Sequence, residues 1–418
     1  MWLRARWILP ISQPPLEDGV LEIHRGRITT VGRWRDLRRR SSGELLDLGD
    51  VLLMPGLINA HCHLDYTHMA GGLPPPRYFP DWLKGMLSFK SHWGFSEFAQ
   101  SWLAGARMLL ESGVTTVVDI EAVPELLPEV WSATPLRVFS LLELTNVRSR
   151  RAANDLLVEA QRWLDPLPRG RCRPGLSPHA LYSTTPELVQ AAAALCRKRR
   201  WPMAMHVAES VDEFEMFTRR AGRMYDWLAP QRDMDDCKGR TPVEQLAALR
   251  VLGPRLLAIH VNNATPHDAE LLAQHNVSVV HCPQSHSYFR HRPFPLQTVM
   301  NAGVNVCLGT DSLASTMKKG KGPLVLSMFS EMREMAAKFP GLAPQAILNM
   351  ATVNGAKAVG LQGRLGQIQP GAWADLVALP VPSSLTCPFE YVVHAAGKPI
   401  GVMIQGRWEV QNWQIPKT

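Results

Sequence analysis

Eight apolar runs of strand length recur in the chain, and each ends in a polar residue. The runs cover residues 52–63, 115–119, 136–143, the segment that ends at 179, 203–206, 256–260, 277–281 and 304–311. Longer helical patterns lie between and after them, as in 95–112, 185–200 and 344–359. Strands that alternate with helices are typical of βαβ units, and eight such units close a (β/α)8 barrel. The sequence therefore predicts an α/β fold, with a TIM-type barrel over residues 55–362.

The two ends of the chain have a different pattern. Residues 1–54 and 363–418 alternate apolar and polar residues around glycine turns, which is typical of short β-hairpins. Neither end by itself could cover an apolar face. We therefore expect both ends to join in one composite β-sandwich domain beside the barrel, since a chain of 418 residues has room for both.

The charge and the cysteines of the chain narrow the class of protein. The 45 lysines and arginines exceed the 37 aspartates and glutamates, but the basic residues are spread thinly apart from residues 35–40. A short basic run is typical of a solvated surface, so we expect no nucleic-acid partner. The seven cysteines form no CxxC pair, and no run approaches the roughly 18 apolar residues of a membrane span. We expect a cytoplasmic protein with reduced thiols and no membrane partner.

Two histidines at the end of the first run, His61 and His63, are the first candidates for metal ligands. Alternate side chains of a strand share a face, so both imidazoles point the same way while Cys62 points away. An HxH pair can also occur by chance in a strand that simply alternates polar and apolar residues, without any role in metal binding. The apolar lead-in at 55–60 and the polar loop that follows favour a metal site, because barrels place their catalytic residues where strands end.

Two further runs end in residue types that bind metals. His206 ends the fifth run, and Asp311 ends the eighth. Taken singly, His206 could be a buried core histidine and Asp311 a helix N-cap. Together with His61 and His63 they form a set of three imidazoles and one carboxylate, which suits zinc and also Fe2+.

One absence bears on the number of metal ions. Many binuclear metal hydrolases bridge two cations with a carbamylated lysine on a barrel strand, but residues 91–197 contain no lysine. We therefore expect one divalent ion as the cofactor, with zinc favoured over Fe2+.

Three acid or base residues near this set predict the chemistry. A cation among neutral imidazoles lowers the pKa of its bound water toward about 7, so hydroxide forms near neutral pH. Asp311 is placed to accept the proton of that water, and Glu209 can carry it to the substrate and the leaving group. His260 would hydrogen-bond the hydroxide or the developing tetrahedral centre. The pattern indicates hydrolysis by attack of a metal-bound hydroxide.

The combined motifs resemble those of the amidohydrolase superfamily, and more narrowly its branch of cytosine deaminases, guanine deaminases and triazine hydrolases. The resemblance covers nearly the whole chain, and its motifs are His61-Cys62-His63, His206-Val207-Ala208-Glu209, His260 and Gly309-Thr310-Asp311-Ser312. It implies a mononuclear zinc or iron centre with these roles: metal ligands His61, His63, His206 and Asp311, proton shuttle Glu209 and polarising residue His260.

The resemblance also implies a substrate class. Residues 283–289 and 308–315 look most like bacterial aminodeoxyfutalosine deaminases and nearby adenosine-type deaminases, which act on the 6-amino group of an adenine ring. The first kind serves menaquinone biosynthesis. We therefore expect a small-molecule heterocyclic substrate, such as 6-amino-6-deoxyfutalosine or a related adenosine derivative, and a homodimer as is typical of the family.

Three candidate substrate contacts follow from the resemblance. His179 and Tyr182 lie in 177–182, a segment whose histidine contacts the substrate in the family. His286 lies in the loop after the seventh strand, where many relatives carry asparagine. The resemblance implies that these side chains reach the substrate.

Two more candidates come from the residues alone. Trp82 lies in an aromatic insertion at 65–93 and would either stack on a purine or pin a lid to the barrel. Glu143 ends the third run and would contact a purine edge or form a structural ion pair. A second insertion at 214–244 is the other candidate for a lid over the barrel mouth.

Three functions compete on these residues. The first is deamination of an aminated purine-type heterocycle to its oxo form, with release of ammonia. The second is removal of a ring halide or alkylamine, or opening of a cyclic amide. The third is a scaffold without catalysis, which predicts missing ligands. Glu209 favours deamination, because attack on an amidine carbon needs protonation of a ring nitrogen.

Overall fold

A computed structural model describes residues 1–41, 43–168, 170–318, 322–395 and 397–412. The strands, in chain order, are β1 (Trp2–Ile8), β2 (Leu16–His24), β3 (Arg27–Arg33), β4 (Leu45–Asp47), β5 (Val51–Pro55), β6 (Leu57–Cys62), β7 (Val114–Glu121), β8 (Arg137–Leu144), β9 (Arg173–Pro178), β10 (Met203–Val207), β11 (Leu256–His260), β12 (Ser278–His281), β13 (Asn305–Leu308), β14 (Leu376–Pro380), β15 (Gly401–Ile404) and β16 (Arg407–Gln411).

The helices are α1 (Trp34–Leu37), α2 (Phe79–Lys90), α3 (Phe95–Glu111), α4 (Leu127–Ala133), α5 (Ala153–Leu164), α6 (Pro186–Arg199), α7 (Val211–Arg219), α8 (Arg223–Leu228), α9 (Pro242–Ala248), α10 (Pro266–Gln274), α11 (Pro283–Tyr288), α12 (Leu296–Asn301), α13 (Met328–Lys338), α14 (Pro344–Met350), α15 (Val353–Ala358) and α16 (Pro388–Glu390). Short 3-10 helices lie at Leu64–Met69, Pro124–Leu126 and Leu313–Ser315, and a π-helical turn lies at Tyr391–Ala395. Within the described ranges, none of the helices combines the length and the apolar character needed to cross a membrane.

Strands β6 to β13 form a barrel. Each strand pairs in parallel with the next along the chain. A parallel bridge between Cys62 and Asp311 joins β6 to the segment after β13 and so brings the two edge strands together. Parallel neighbours need crossover connections, and helices supply most of them here. The predicted (β/α)8 barrel is confirmed.

Apolar side chains fill the inside of the barrel. Seven of the eight strands pack apolar side chains there, and other side chains of the strands pack against the surrounding helices. A filled barrel leaves room for a ligand only at its mouth, where the strands end. The interior cluster from the strands consists of Ile58, Ala60, Val118, Ile120, Phe139, Leu141, Ala204, Leu257, Ile259, Val280 and Cys307.

The first predicted run is two strands rather than one. Strand β5 belongs to the other sheet and β6 to the barrel, and Gly56 lies between them. A Cβ atom added at Gly56 would lie 2.2 Å from Oγ1 of Thr115, so only glycine fits at this passage from one sheet to the other. The pairing of β6 with β7 is also irregular between Asn59 and Cys62. Because of this irregularity, side chains no longer alternate strictly between the two faces of the strand where the histidines lie.

The other eight strands come from both ends of the chain and form one mixed sheet. Its order is β16-β15-β14-β5-β1-β2-β3, with β4 also paired to β1. The turn at Gly26 touches Gln405, which lies between β15 and β16, and both arms of the sheet share one apolar core. The sheet therefore curls onto itself, and the two chain ends join as predicted. The domain boundaries expected between residues 54 and 55 and between residues 362 and 363 stay predictions.

A buried ion pair connects the barrel to the small sheet. Nη2 of Arg137 lies 3.4 Å from Oδ2 of Asp375, and the two side chains are 3% and 2% exposed. The guanidinium also lies 4.0 Å from the centre of the Trp373 ring. The other carboxylate oxygen of Asp375 accepts a hydrogen bond from the backbone N–H of Gln405 at 2.9 Å. Asp375 therefore stabilises both the contact with the barrel and a turn of the sheet.

We expect Asp375→Ala to lower the free energy of unfolding by about 3 to 5 kcal/mol, because it leaves the buried guanidinium of Arg137 without its charge partner. Chemical denaturation measures this change. Asp47→Ala is the matched control, since Asp47 pairs with Arg4 in an ion pair whose side chains are 48% and 32% exposed. That pair contributes roughly 0 to 1 kcal/mol. Equal losses in the two variants would contradict the role given to Asp375.

Candidate metal and catalytic site

The carboxyl ends of the barrel strands bring six predicted residues together. Parallel strands of a barrel end at the same face, so side chains that are far apart in the sequence meet there. The six residues are all buried, with exposed fractions between 0% and 6%: His61, His63, His206, Glu209, His260 and Asp311.

The ligand atoms of five of these residues lie in two groups of three that share His61. One ligand atom from each of His61, His63 and His206 lies within 4.8 Å of the other two, and the same holds for His61, His260 and Asp311. Nε2 of His63 lies 3.4 Å from Nε2 of His206. Nε2 of His61 lies 3.5 Å from Oδ1 of Asp311. Spacings of this size suit donor atoms that share one cation.

The hydrogen bonds of the histidines fit a bound metal. Both ring nitrogens of His61 and Nδ1 of His63 are buried and have no hydrogen-bond partner among the described residues. Buried polar atoms nearly always have a partner, and a cation could bind one nitrogen of the His61 ring, for which the protein supplies none. Burial lowers the pKa of His63 to about 3, which leaves a neutral imidazole with a free lone pair. The residues therefore suit zinc or another borderline cation.

Contacts behind the ligand atoms orient two of the side chains. Nδ1 of His206 lies 3.0 Å from the backbone oxygen of His179 and donates to it, which leaves Nε2 of His206 free to bind. Oδ2 of Asp311 accepts hydrogen bonds from the hydroxyl groups of Ser285 at 2.6 Å and Ser315 at 3.0 Å. Burial would raise the pKa of Asp311, but the neighbouring ring of His61, whose Nε2 lies 3.5 Å from Oδ1, holds it well below its usual range. Asp311 is therefore a carboxylate with one oxygen directed at the histidines.

An acid and a base lie side by side next to this cluster. Oε1 of Glu209 lies 3.5 Å from Nε2 of His260. Burial, followed by the charge of Asp311, raises the pKa of Glu209 well above its usual value. Burial lowers the pKa of His260 well below its usual value. The two shifts favour a protonated carboxyl beside a neutral imidazole, and such a pair can give and accept protons.

A cleft opens directly over the cluster and includes about 1010 Å³ of space with its mouth. Its walls include four of the five predicted substrate residues: Trp82, Glu143, His179 and Tyr182. The hydroxyl of Tyr182 is buried and has no protein partner within the described part of the chain. A phenol without a partner on the wall of a cleft is available to a ligand.

His286 lies away from the cleft. The chain turns into helix α11 immediately after Cys282, and this helix carries His286 into a packed region, where its Nε2 contacts the backbone oxygen of Arg292 at 2.8 Å. Its ring centre lies 5.2 Å from that of His281 and 5.6 Å from that of His291. Ser285, the preceding residue, is the one that reaches Asp311. The predicted loop therefore reaches the carboxylate of Asp311 through Ser285, while His286 is not among the residues that line the cleft.

Both insertions contribute to the cleft, so neither is the lid alone. Helix α2 of the first insertion supplies Trp82, and helix α8 of the second supplies Trp227. The two insertions also touch each other, because Lys84 lies 5.3 Å from the centre of the Trp227 ring and Arg223 lies 3.5 Å from that of Tyr78.

Sequence reasoning missed a group of contacts around Lys90. Its Nζ donates to the hydroxyl of Tyr66 and lies 3.9 Å from Oε1 of Glu143, and all three residues line the cleft. The ring of Tyr66 stacks on that of His63, with centres 5.1 Å apart and planes 7° apart. Glu143 is therefore both a cleft residue and a member of an ion pair. The position of Lys90 at the end of a helix gave no indication of this pairing.

Comparison with known proteins agrees with this geometry. Residues 52–408 match the model of the amidohydrolase family. A 5-methylthioadenosine/S-adenosylhomocysteine deaminase of Syntrophobacter fumaroxidans is 30% identical over 406 residues, which are 91% of this chain and 85% of that protein.

Two crystal structures have the same fold. An adenosine deaminase from Xanthomonas campestris with bound zinc superimposes with a TM-score of 0.86 and 25% identity, over 100% of this chain and 94% of that one. Helicobacter pylori aminofutalosine deaminase in complex with methylthio-coformycin superimposes with a TM-score of 0.85 and 20% identity, over 98% of this chain and 100% of that one. Because the family model covers most of the sequence, the chain belongs to the amidohydrolase family.

Proposed function

We propose that this protein is a metal-dependent hydrolytic deaminase that converts the 6-amino group of an adenosine derivative to an oxo group and releases ammonia. The pairing of a buried Glu209, whose pKa is raised, with His260 beside the histidine cluster carries this proposal, because deamination needs an acid that can protonate both ring and leaving group. The deaminase relatives support the substrate class.

The metal in this proposal is one divalent cation, which the following residues would hold: His61, His63, His206 and Asp311. We favour zinc, because zinc is bound in the related adenosine deaminase, while Fe2+ accepts the same ligand types. Once bound, such a cation supplies Lewis-acid activation of water near neutral pH.

The side chains of the protein would move the protons. Asp311, a carboxylate, accepts a proton from the attacking water. Glu209 gives its proton to a ring nitrogen of the substrate, which makes the adjacent carbon easier to attack. Glu209, now a carboxylate, takes the remaining proton of the added hydroxyl group and gives it to the amino group, which leaves as ammonia. The proton on Asp311 then restores the acid form of Glu209. His260 hydrogen-bonds the oxygen that adds to this carbon.

The substrate would lie along the cleft wall. Trp82 and Phe79 offer aromatic faces to a purine, and their ring centres lie 6.2 Å apart. Glu143, His179 and Tyr182 offer polar groups, so we propose them as substrate contacts. The candidates are 5-methylthioadenosine, S-adenosylhomocysteine, adenosine and 6-amino-6-deoxyfutalosine, and a role in menaquinone biosynthesis would follow only from the last. The homodimer, and the lack of nucleic-acid and membrane partners, stay predictions.

We expect the purified, zinc-loaded protein to release ammonia from at least one adenosine derivative in a panel of those four compounds with guanine, 8-oxoguanine and cytosine as comparison bases. The absorbance change of the purine and an ammonia assay report the same reaction independently. If the protein binds one metal ion per chain but releases ammonia from none of these compounds, deamination of these substrates is rejected. That result would direct attention to ring halides, alkylamines and cyclic amides.

We expect Glu209→Gln to lower kcat by about 10²- to 10⁴-fold, because glutamine cannot carry the proton to the ring nitrogen or to the leaving group. Metal content should not change. Glu215→Gln, on a side chain that is 34% exposed and paired with Arg219, serves as the matched control. If the Glu209 variant retains its activity, Glu209 does not carry protons in the reaction.

We expect His206→Ala to lose bound metal, since it removes one of three imidazoles that share the site. Elemental analysis by mass spectrometry measures the metal directly. A chelator should lower the melting temperature of the unaltered protein and leave that of the variant unchanged, because a bound ion stabilises only the folded state that holds it. His267→Ala is the control, with a side chain that is 61% exposed. Full metal occupancy in the His206 variant would contradict the ligand assignment.

A further inference from the structure

The backbone on either side of Glu209 is held by a second buried carboxylate. Oε1 of Glu213 accepts a hydrogen bond from the N–H of Ala208 at 3.1 Å, and Oε2 accepts one from the N–H of Glu209 at 2.8 Å. Glu213 is fully buried, in the first turn of helix α7. Each oxygen of one carboxylate therefore binds a different N–H of the turn that carries the shuttle residue.

The carbonyl side of the same turn is held from the next strand. The side-chain amide of Asn262 donates to the backbone oxygen of Glu209 at 3.1 Å, and that of Asn263 donates to the backbone oxygens of Glu209 and Ala208, each at 3.2 Å. Both asparagines directly follow strand β11, which ends at His260. The turn is thus attached to the strand whose last residue is the partner of Glu209.

The conformation of the turn explains why it needs such support. Ala208 has a φ of 49°, in the left-handed region that residues with a Cβ atom rarely occupy. Such a conformation persists only when surrounding contacts fix it. Glu213 and the asparagines are these contacts, so they fix the direction in which the side chain of Glu209 leaves the backbone.

We propose that Glu213 is a positioning residue for catalysis, which holds the turn at Ala208 and Glu209 so that the carboxyl of Glu209 faces His260. The proposal rests on the shuttle role proposed for Glu209. Only a carboxylate suits this place, because both partners are N–H donors. Glutamine has the same size but would direct its NH2 group at one of the two N–H groups.

A purely structural role for Glu213 would be to begin helix α7. Its own N–H is bound by the hydroxyl of Ser210, the N-cap residue, at 3.1 Å. This contact uses the backbone of residue 213 and survives any change of its side chain. We call the two hydrogen bonds from Ala208 and Glu209 to the Glu213 carboxylate the clamp. Glu213→Gln changes the clamp but leaves the N-cap contact of the helix in place.

We expect Glu213→Gln to lower kcat by about 10- to 100-fold, with KM and metal content unchanged, because a misdirected proton donor affects the chemical step. Introduced into Glu209→Gln, the same change should have no further effect on kcat, since both act through one carboxyl. Glu215→Gln, two residues further along α7, is the control and should behave as the unaltered protein. Additive losses in the double variant, or unchanged kcat in the single one, would overturn the proposal.

Amide hydrogen exchange gives a readout that does not need a substrate. In the metal-loaded protein, Glu213→Gln should lose the protection of one of the two amides, that of Ala208 or that of Glu209, while Glu215→Gln should retain both. If no compound of the panel releases ammonia but this protection is lost, the deaminase proposal fails and the clamp stands. If ammonia is released and both kcat and protection survive Glu213→Gln, the clamp fails and the deaminase stands.

A second variant tests the clamp should Glu213→Gln fail to fold. Asn263→Ala removes one of the two side-chain donors on the carbonyl side of the same turn, at a position that is only half-buried. We expect a smaller loss of kcat, again without a change in KM or metal content and again absent when Glu209 is already glutamine. A loss of kcat that persists in the Glu209→Gln background would count against the proposal.

Discussion

The pairing of the first barrel strand with the segment after the last is the contact on which the site depends. The backbone oxygen of His61 accepts hydrogen bonds from the N–H groups of Thr310 at 3.0 Å and Asp311 at 3.1 Å. Gly309 permits this approach, because a Cβ atom there would lie 2.9 Å from the oxygen of His61. The contact that closes the barrel therefore also brings the carboxylate of Asp311 to the histidines, although about 250 residues separate them.

Burial gives the site its chemical character. It withdraws the histidines from water and lowers the pKa values of His63, His206 and His260, so their rings are neutral. It raises the pKa of Glu209, which favours the protonated carboxyl. The neighbours of Asp311 hold its pKa well below the usual range, which favours the carboxylate. One environment thus places neutral imidazoles, a carboxylate and an acid side by side, and this combination suits acid–base chemistry.

The insertions decide what the site can bind. Aromatic contacts connect helix α2 of the first insertion to the seventh-strand loop, where the ring of Phe289 lies 4.9 Å from that of Trp82 and 5.2 Å from that of Phe79. The second insertion meets the first above the cleft through Trp227. The wall of the cleft is made of the two insertions and the loops after β8 and β9, whereas the histidine cluster is made of strand ends. This division lets one barrel serve different substrates with the same chemistry.

The sequence by itself determined the barrel, the joining of the two chain ends and the set of residues at the strand ends. These depend on local patterns, because strand and helix periods and the position of a residue at the end of a strand are written within a few residues. Only the tertiary structure decided that His286 turns into a packed helix, that Lys90 pairs with Glu143, and that both insertions border the cleft. Such contacts join side chains of loops whose paths are set by packing between distant segments, and no local period encodes that packing.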